Sequence, residues 1–503
     1  MGKASDAIFE SSGYFWWLGE ETPEGRVAPR SAMPGTLTIS ENGLTRLVVT
    51  GSLIQSDFLQ LDRSTQLQLD TDLDALKERS IAGKIYDDRQ CVYLRQIAYR
   101  GASRTIDHKT SENFEAAICL VGNAPTIRNP ESFVFSRLSI ELTDLEAWLR
   151  NDALVVDAAK ADEKSQSQKV SYTAEHRDYD FEEGAISLRT DIHCDACEGI
   201  AMRKIGFEQH DWIDYSPSFP QSPEQLKQEF GHIEEYLALL SGSYYALHWP
   251  LISSANGDAV DSYTLYFLRN QERTRPLEGW TLWTILPQVR DKFGSMYASW
   301  RKRRREAGTG FYLHLAALRN SSMYIEHRFV NLIWGIESLH RTLYPDAKGP
   351  SSDSLIIEAL IAKFKDDSNS DQRRWLKQQL QRDTEPTLQD RIVRTFETLP
   401  WDIDRSSLNG FAEKCQRRRN DISHFGGPRK DKNESYEAFL QDLLMLSAAL
   451  SHLYHAALLK EIDIPARTLR SCLSDMPIGH RIKLDLTRAG LSFVKESQSA
   501  TTS

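Results

Sequence analysis

The chain has 503 residues, 40% hydrophobic and 26% charged, with 27 glycines and 18 prolines; these values exclude a disordered or collagen-like protein and leave room for two to four domains. With 61 basic and 71 acidic residues the formal charge is −10, which excludes a surface that coats nucleic acid or anionic membrane over its whole area. Six cysteines are too few for a disulfide framework, and the start MGKASDAIFESSGYFWWLGEE lacks the basic and apolar regions of a secretory signal, so a cytoplasmic location is expected.

The first 150 residues change character every eight to twelve positions, as short β-rich runs separated by turn formers do. Gly35–Ser40, the turn Glu41-Asn-Gly43 and Leu44–Gly51 read as a hairpin, and further strands are expected at Cys91–Ile97, Phe114–Val121 and Phe133–Leu142. A short helix over Asp144–Leu149 carries Trp148. So many short strands pack naturally as a sandwich or open barrel. Asp70-Thr-Asp72-Leu-Asp74 begins like a calcium loop but lacks its Gly and closing Glu, and reads as a solvated acidic turn.

Residues 157–169 are polar without an apolar period and read as a linker, followed by a second β segment to about Trp212. Within it His193-Cys194-Asp-Ala-Cys197 has zinc-ligand spacing. A full site needs four ligands, and His210 is the single near candidate, so ordinary thiols are the expectation and no metal is assigned.

Ser222-Pro-Glu-Gln supplies a hydroxyl cap, Pro at the first helical position and an acidic first turn, which starts a helix running to Leu240. After about Phe293 the period is helical almost throughout. In Glu326–Tyr344 the apolar residues Phe329, Leu332, Ile333, Ile336, Leu339 and Leu343 form one face. Gly349–Asp353 breaks the chain, and helices are expected near Ser354–Lys365, Asp371–Gln381 and Leu388–Leu399. A helix over Leu408–Phe425 is stopped by Gly426-Gly427-Pro428, and a last long helix spans Glu434–Lys460. Its apolar stretch Leu440–Leu459 is interrupted by polar residues and reads as a buried helix, so no membrane contact is expected. The tail Ser497–Ser503 is expected to be disordered.

No GxxxxGK[ST], HExxH, GxSxG or strand-flanked GxGxxG occurs, which removes nucleotide-driven motors and zinc proteases. The run Arg301-Lys-Arg-Arg-Arg305 offers planar forks for a phosphate backbone, or a solvated helix face. Arg417-Arg-Arg-Asn-Asp-Ile-Ser-His424 places Arg, Asn and His in the last turns of a helix, where free carbonyls stabilise a nearby cation and suit an acid–base His. Asn420 and His424 are i,i+4 neighbours. Arg419 and His424 are i,i+5, about 140° apart on an ideal helix, so a distorted last turn or a second copy of the site is needed to bring them together. Phe411, Cys415 and Ile422 define an inward stripe on which Arg418 or Arg419 also falls, and a guanidinium there needs a partner.

Arg419-Asn-Asp-Ile-Ser-His424 is the Arg-x4-His pattern, with Asn directly after Arg, that marks the HEPN domain. Upstream, Phe329-Val-Asn-Leu-Ile-Trp-Gly-Ile-Glu-Ser-Leu-His-Arg341 resembles that family's earlier core helix, and Phe15-Trp-Trp, Pro34-Gly-Thr-Leu-Thr and Leu47-Val-Val-Thr-Gly51 resemble the N-terminal domain of the ApeA family of bacterial anti-phage proteins. The resemblance covers about residues 10–460 and implies an α+β multidomain chain: a β-rich N-terminal domain over 1–298, an all-α HEPN bundle over 299–465 and a C-terminal extension over 466–503. It implies a metal-independent ribonuclease, without cofactor, acting in phage-triggered growth arrest, with its site assembled at a homodimer interface and a phage-encoded trigger. His424 would then be the acid–base group, Arg419 the stabiliser of the phosphate charge and Asn420 their orienter. Glu337 and His340 would reach the cleft, and Arg417, Arg418, Arg301, Arg303 and Arg304 would contact RNA. The competing expectation is a non-catalytic RNA- or protein-binding module, because fold-level analogy does not establish activity.

Overall fold

The computed structural model describes residues 7–54, 78–86, 90–104, 110–123, 133–151, 153–158, 168–196, 205–256, 259–269, 278–319, 323–347, 385–428 and 434–494. The acidic turn at Asp70–Asp74, Cys197, the break at Gly349–Asp353, the helices expected at Ser354–Lys365 and Asp371–Gln381, and the tail Ser497–Ser503 lie outside them.

Two compact units form. The first comprises Met1–Asp144, Asn151–Glu234 and Tyr245–Arg275; the second comprises Leu145–Arg150, Glu235–Tyr244 and Pro276–Ser503. The division thus differs from a single cut between residues 298 and 299. Local packing explains the two early segments of the helical unit: Trp148 is fully buried against Phe293 and donates from Nε1 to Thr284 Oγ1, and the Tyr236 hydroxyl donates to the Phe293 carbonyl at 2.9 Å.

Among the described residues the first unit has fourteen strands, of which β1 (Ala7–Trp17), β2 (Met33–Ser40), β3 (Thr45–Thr50), β4 (Ile81–Ile85), β5 (Cys91–Arg104) and β6 (Thr110–Gly122) close on themselves in the order β6-β3-β2-β1-β4-β5-β6. This six-stranded barrel is the closed counterpart of the open barrel expected from sequence. Alternation drives it: in β3 Thr45, Leu47 and Val49 point inward and Arg46, Val48 and Thr50 outward, and Leu47 and Val49 join Phe15, Trp17, Leu37, Ile39 and Phe114 in the core. The buried Glu112 carboxylate accepts the Leu53 N–H at 2.8 Å and also binds Ser52, which fixes the segment leaving β3.

From β6 the sheet continues through β14 (Ala259–Phe267), β13 (Leu251–Asn256), β7 (Arg137–Glu141), β12 (Ile205–Pro217), β11 (Gly184–Ala196) and β10 (His176–Phe181), all antiparallel. The hairpin of β13 and β14 was not among the sequence expectations. A separate ribbon pairs β8 (Leu154–Ala158) with β9 (Gln168–Tyr172), so strand occupies both ends of the segment read as a linker over 157–169. In β11 His193 lies opposite Glu208 and Cys194 opposite Phe207. Successive strand residues face opposite sides of the sheet, so His193 and Cys194 do not converge on one ion. His210 pairs instead with Glu141 at 2.7 Å.

Helix α1 (Pro223–Ser241) starts at the expected cap, where Ser222 Oγ accepts the Gln225 N–H and Gln225 Oε1 accepts the Ser222 N–H. The helical unit then contains α2 (Phe293–Glu306), α3 (Gly308–Arg319), α4 (Ile325–Leu343), α5 (Leu388–Phe396), α6 (Arg405–Phe425), α7 (Tyr436–Glu461), α8 (Ala466–Ser474) and α9 (Ile478–Arg488). The apolar face of α4 packs on α7, with Phe329, Leu332, Ile333, Ile336 and Leu339 against Leu443, Leu446, Leu450 and Leu453 as buried core. Close approach needs a missing side chain: a Cβ on Gly335 would collide with the Tyr454 hydroxyl. Helix α7 is long and apolar enough to cross a bilayer, but 72% of its most apolar window is buried within the unit.

Residues 466–494 are part of this unit and not an appendage. Leu469, Cys472, Ile482, Leu486 and Leu491 are buried, and Trp401 Nε1 donates to the Leu469 carbonyl at 2.8 Å.

Candidate active site at the end of a helix

Helix α6 is fixed at both ends by its sequence. Asp404 caps it, accepting the Ser407 N–H at 2.8 Å, and Gly426 ends it at φ 66°, donating its N–H to the Ile422 carbonyl at 3.1 Å. The helix is regular through Phe425, with no distorted last turn. Leu408, Phe411, Ala412, Cys415 and Arg418 form its buried stripe.

Of the two arginines that the apolar pattern allows on that stripe, the structure places Arg418 there. Its Nε donates to Asp442 Oδ2 at 2.7 Å, Nη1 to Glu434 Oε2 at 2.7 Å and Nη2 to Glu434 Oε1, with Asp421 at 3.5 Å. Lys414 adds a second cation on Asp442, and the guanidinium lies 5.0 Å from the Phe439 ring. The hydrogen bonds to Glu434, with the neighbouring carboxylates, outweigh burial and hold Arg418 still more firmly protonated; in return they hold the Glu434 carboxyl below its usual range. Arg418 is therefore corrected from an RNA contact to a buried clamp that ties Glu434, just ahead of α7, to the flank of α6.

Arg419 differs. It sits half-buried at the border of the stripe, donates from Nη1 to Asn420 Oδ1 at 3.3 Å, and makes no ion pair among the described residues. Its Nε is buried without a hydrogen-bond partner among them. His424 is exposed at the helix end, with its ring edge-on to Phe425, and Asn420 is half-buried one turn before it. Arg417 is exposed.

Three helix ends meet here. Tyr436, at the start of α7, lies beside Gly427 and hydrogen-bonds through its hydroxyl to Glu326 in the first turn of α4, a bond that raises its phenol pKa. Its ring stacks on Phe439 with an interplanar angle of 21°. Sequence reasoning missed Glu326, Glu434 and Tyr436. The cap at Ser435, which accepts the Ala438 N–H, was the available signal for where α7 begins.

Other expected members lie elsewhere. His340 is 1% exposed, packs on Tyr344 and faces α5; burial, reinforced by Arg391 and Arg394, pushes its pKa down to about 4. It is a neutral core histidine, because the face it shares with Ile333 and Ile336 is the packed one. Glu337 is half-buried, with no hydrogen bond or ion pair to Arg419, Asn420 or His424 among the described residues. In the basic run, Arg303 pairs with Glu306 and Glu461, and Arg304 with Glu235 at 2.8 Å while lying over Tyr312, so both are held by carboxylates instead of being free for phosphate. Arg301 also has partners within the protein and is half-buried. Ile422, expected on the core stripe, is half-buried only.

Comparison with known families places this geometry. The family described as ApeA N-terminal domain 1 matches residues 10–284, more than half the chain, and Apea-like HEPN matches residues 330–468, which contain α6, α7 and all but the first five residues of α4. The chain belongs to the ApeA family. It is an anti-phage defence protein with a HEPN module, and the Arg419-to-His424 helix end lies inside that module. No curated protein and no solved structure matches the chain.

Proposed function

We propose that this ApeA-family protein is a metal-independent endoribonuclease that arrests growth of the infected cell, with chemistry carried by Arg419, Asn420 and His424. The observation that supports this reading is the contrast between adjacent arginines. Carboxylates engage Arg418 through each of its nitrogens, whereas Arg419 keeps guanidinium donors uncommitted among the described residues, on the same helix end as the exposed His424 imidazole. Uncommitted donors suit a phosphate oxygen.

In this mechanism the His424 imidazole takes the proton of a ribose 2′-hydroxyl, and the imidazolium gives a proton to the leaving 5′-oxygen. The 2′-oxygen attacks phosphorus, the bond to the 5′-oxygen breaks, and Arg419 stabilises the charge on the non-bridging oxygens. Asn420, hydrogen-bonded to Arg419, holds the guanidinium in place. The products are a 2′,3′-cyclic phosphate and a 5′-hydroxyl, so DNA is not a substrate.

Because α6 stays regular, Arg419 and His424 lie on different sides of it, and we assign the complete site to two copies of the chain related by two-fold symmetry. RNA in the cytoplasm is the substrate, and a phage-encoded product is the trigger. The test is cleavage of total RNA by the purified protein beside His424→Ala. Loss of cleavage in a variant that melts like wild type supports the reading. Equal cleavage by both overturns it in favour of a non-catalytic binding module.

A further inference from the structure

The helix end that carries His424 is rimmed by aromatic rings that the proposed chemistry does not use. Phe425 is 60% exposed and Tyr436 is 54% exposed. Tyr436 is also anchored: Glu326 holds its hydroxyl, Phe439 covers one face, and Arg418 lies under Phe439. Arg418, Phe439 and Tyr436 make a column whose inner end is closed by the Glu434 and Asp442 carboxylates and whose outer end is open to solvent.

We infer that Tyr436 is a base-stacking subsite: an unpaired nucleobase of single-stranded RNA extends this column, at the helix end whose last turns carry Arg419 and His424. The inference rests on the ribonuclease reading and adds to it the substrate class. A base in a duplex has its faces covered by its neighbours, so a stacking column selects unpaired RNA. Charge favours the same occupant. Exposed Arg417 and uncommitted Arg419 stand on the last turns of the same helix and offer pairing to the phosphates of a strand, while the Glu434 and Asp442 carboxylates are already neutralised by Arg418 and Lys414. Anchoring at the hydroxyl orients the ring before RNA arrives, so little side-chain entropy is lost on stacking.

The experiment uses the full chain carrying His424→Ala and a single-stranded RNA decamer with 2-aminopurine at each position in turn. Quenching of that base reports stacking, and the same decamer annealed to its complement is the control. Tyr436→Ala should weaken binding of the single strand about 5–100-fold, the range for one stacked base, and abolish quenching at one position, whereas Tyr436→Phe keeps the quenching. On the His424 background, wild-type Tyr436 should bind duplex more weakly than single strand. Unchanged affinity and quenching in Tyr436→Ala, with cleavage intact in the parent protein, overturns the subsite alone. A parent protein that neither binds nor cuts RNA overturns the ribonuclease reading and the subsite with it. A Tyr436→Ala protein whose mass in light scattering falls by half identifies the ring as a contact between copies and overturns the subsite.

Discussion

Arg418 and Arg419 are adjacent on α6, yet Arg418 is engaged by Glu434, Asp442 and Asp421 while Arg419 meets no carboxylate among the described residues. The helical turn accounts for this. A step of about 100° per residue carries the chain from the packed stripe to its border, and the burial that demands partners for Arg418 lapses at Arg419.

The first prediction follows from that burial. Arg418→Ala takes the cation from Glu434 and Asp421 and leaves Asp442 with Lys414 alone, and should cost about 3–5 kcal/mol of unfolding free energy in urea. Arg417→Ala, on an exposed position, should stay within about 0.5 kcal/mol of wild type. Equal midpoints for the two variants would show that the clamp does not hold the end of α6.

The second concerns acid. His314 and His455 are fully buried, 2.9 Å apart between Nε2 and Nδ1, with Trp283 packed on His455. Burial, then neighbouring positive charge, pushes His314 down to about 3 and His340 to about 4, and carries His455 well below its usual value. Each binds a proton more readily in the unfolded chain, near its ordinary value of about 6.5. Stability is therefore fully present above that value and declines as the pH falls from about 6.5 toward 4. His340→Gln should flatten this acid limb in a series of urea midpoints between pH 7 and 4. A steeper limb in the variant would contradict the sign.

A third prediction concerns the reaction. If a 2′-hydroxyl attacks with only imidazole and guanidinium assistance, cleavage persists in excess EDTA and leaves 2′,3′-cyclic phosphate ends, while DNA of the same sequence survives. Loss of cleavage in chelator, restored by Mg²⁺, would instead favour a two-metal nuclease.

Strong local signals made much of this legible in the sequence. The Ser222 cap, the Gly426 stop and the 3.6-residue period of Phe329–Leu343 each marked an element from residues close together in sequence. Barrel closure was not legible, because it depends on β5 pairing with β6 as well as β4, a long-range choice that alternation does not encode. The hairpin of β13 and β14 could have been found from Asn256-Gly257, a strong turn signal between two β-rich runs. At the candidate site, the pattern singled out Arg419, Asn420 and His424 for testing but could not separate Arg418 from Arg419, since both lie near the stripe. That choice depends on Glu434 and Asp442, which lie on and just ahead of another helix. His340 misled for the opposite reason: its periodic position marked a packed face, and packing there removed it from solvent.

The last prediction separates catalysis from folding. His424 is exposed, so His424→Ala should abolish RNA cleavage at a cost of about 0–1 kcal/mol. Phe411 is 2% exposed on the packed face of the same helix, and Phe411→Asn buries an amide among apolar side chains, so activity and melting temperature should fall together. Ile422 is the informative intermediate. Being only half-buried, it should tolerate Asn with a small shift in melting temperature, and since it lies between Arg419 and His424 in sequence, a loss of cleavage without a loss of melting temperature in that variant reports the geometry of the helix end rather than collapse of the domain. Thermal melts of the three variants beside RNA cleavage and survival of phage-infected cells make the comparison. If Ile422→Asn melts as far below wild type as Phe411→Asn does, the end of α6 is core and not the rim of a cleft, and an open site at His424 is excluded.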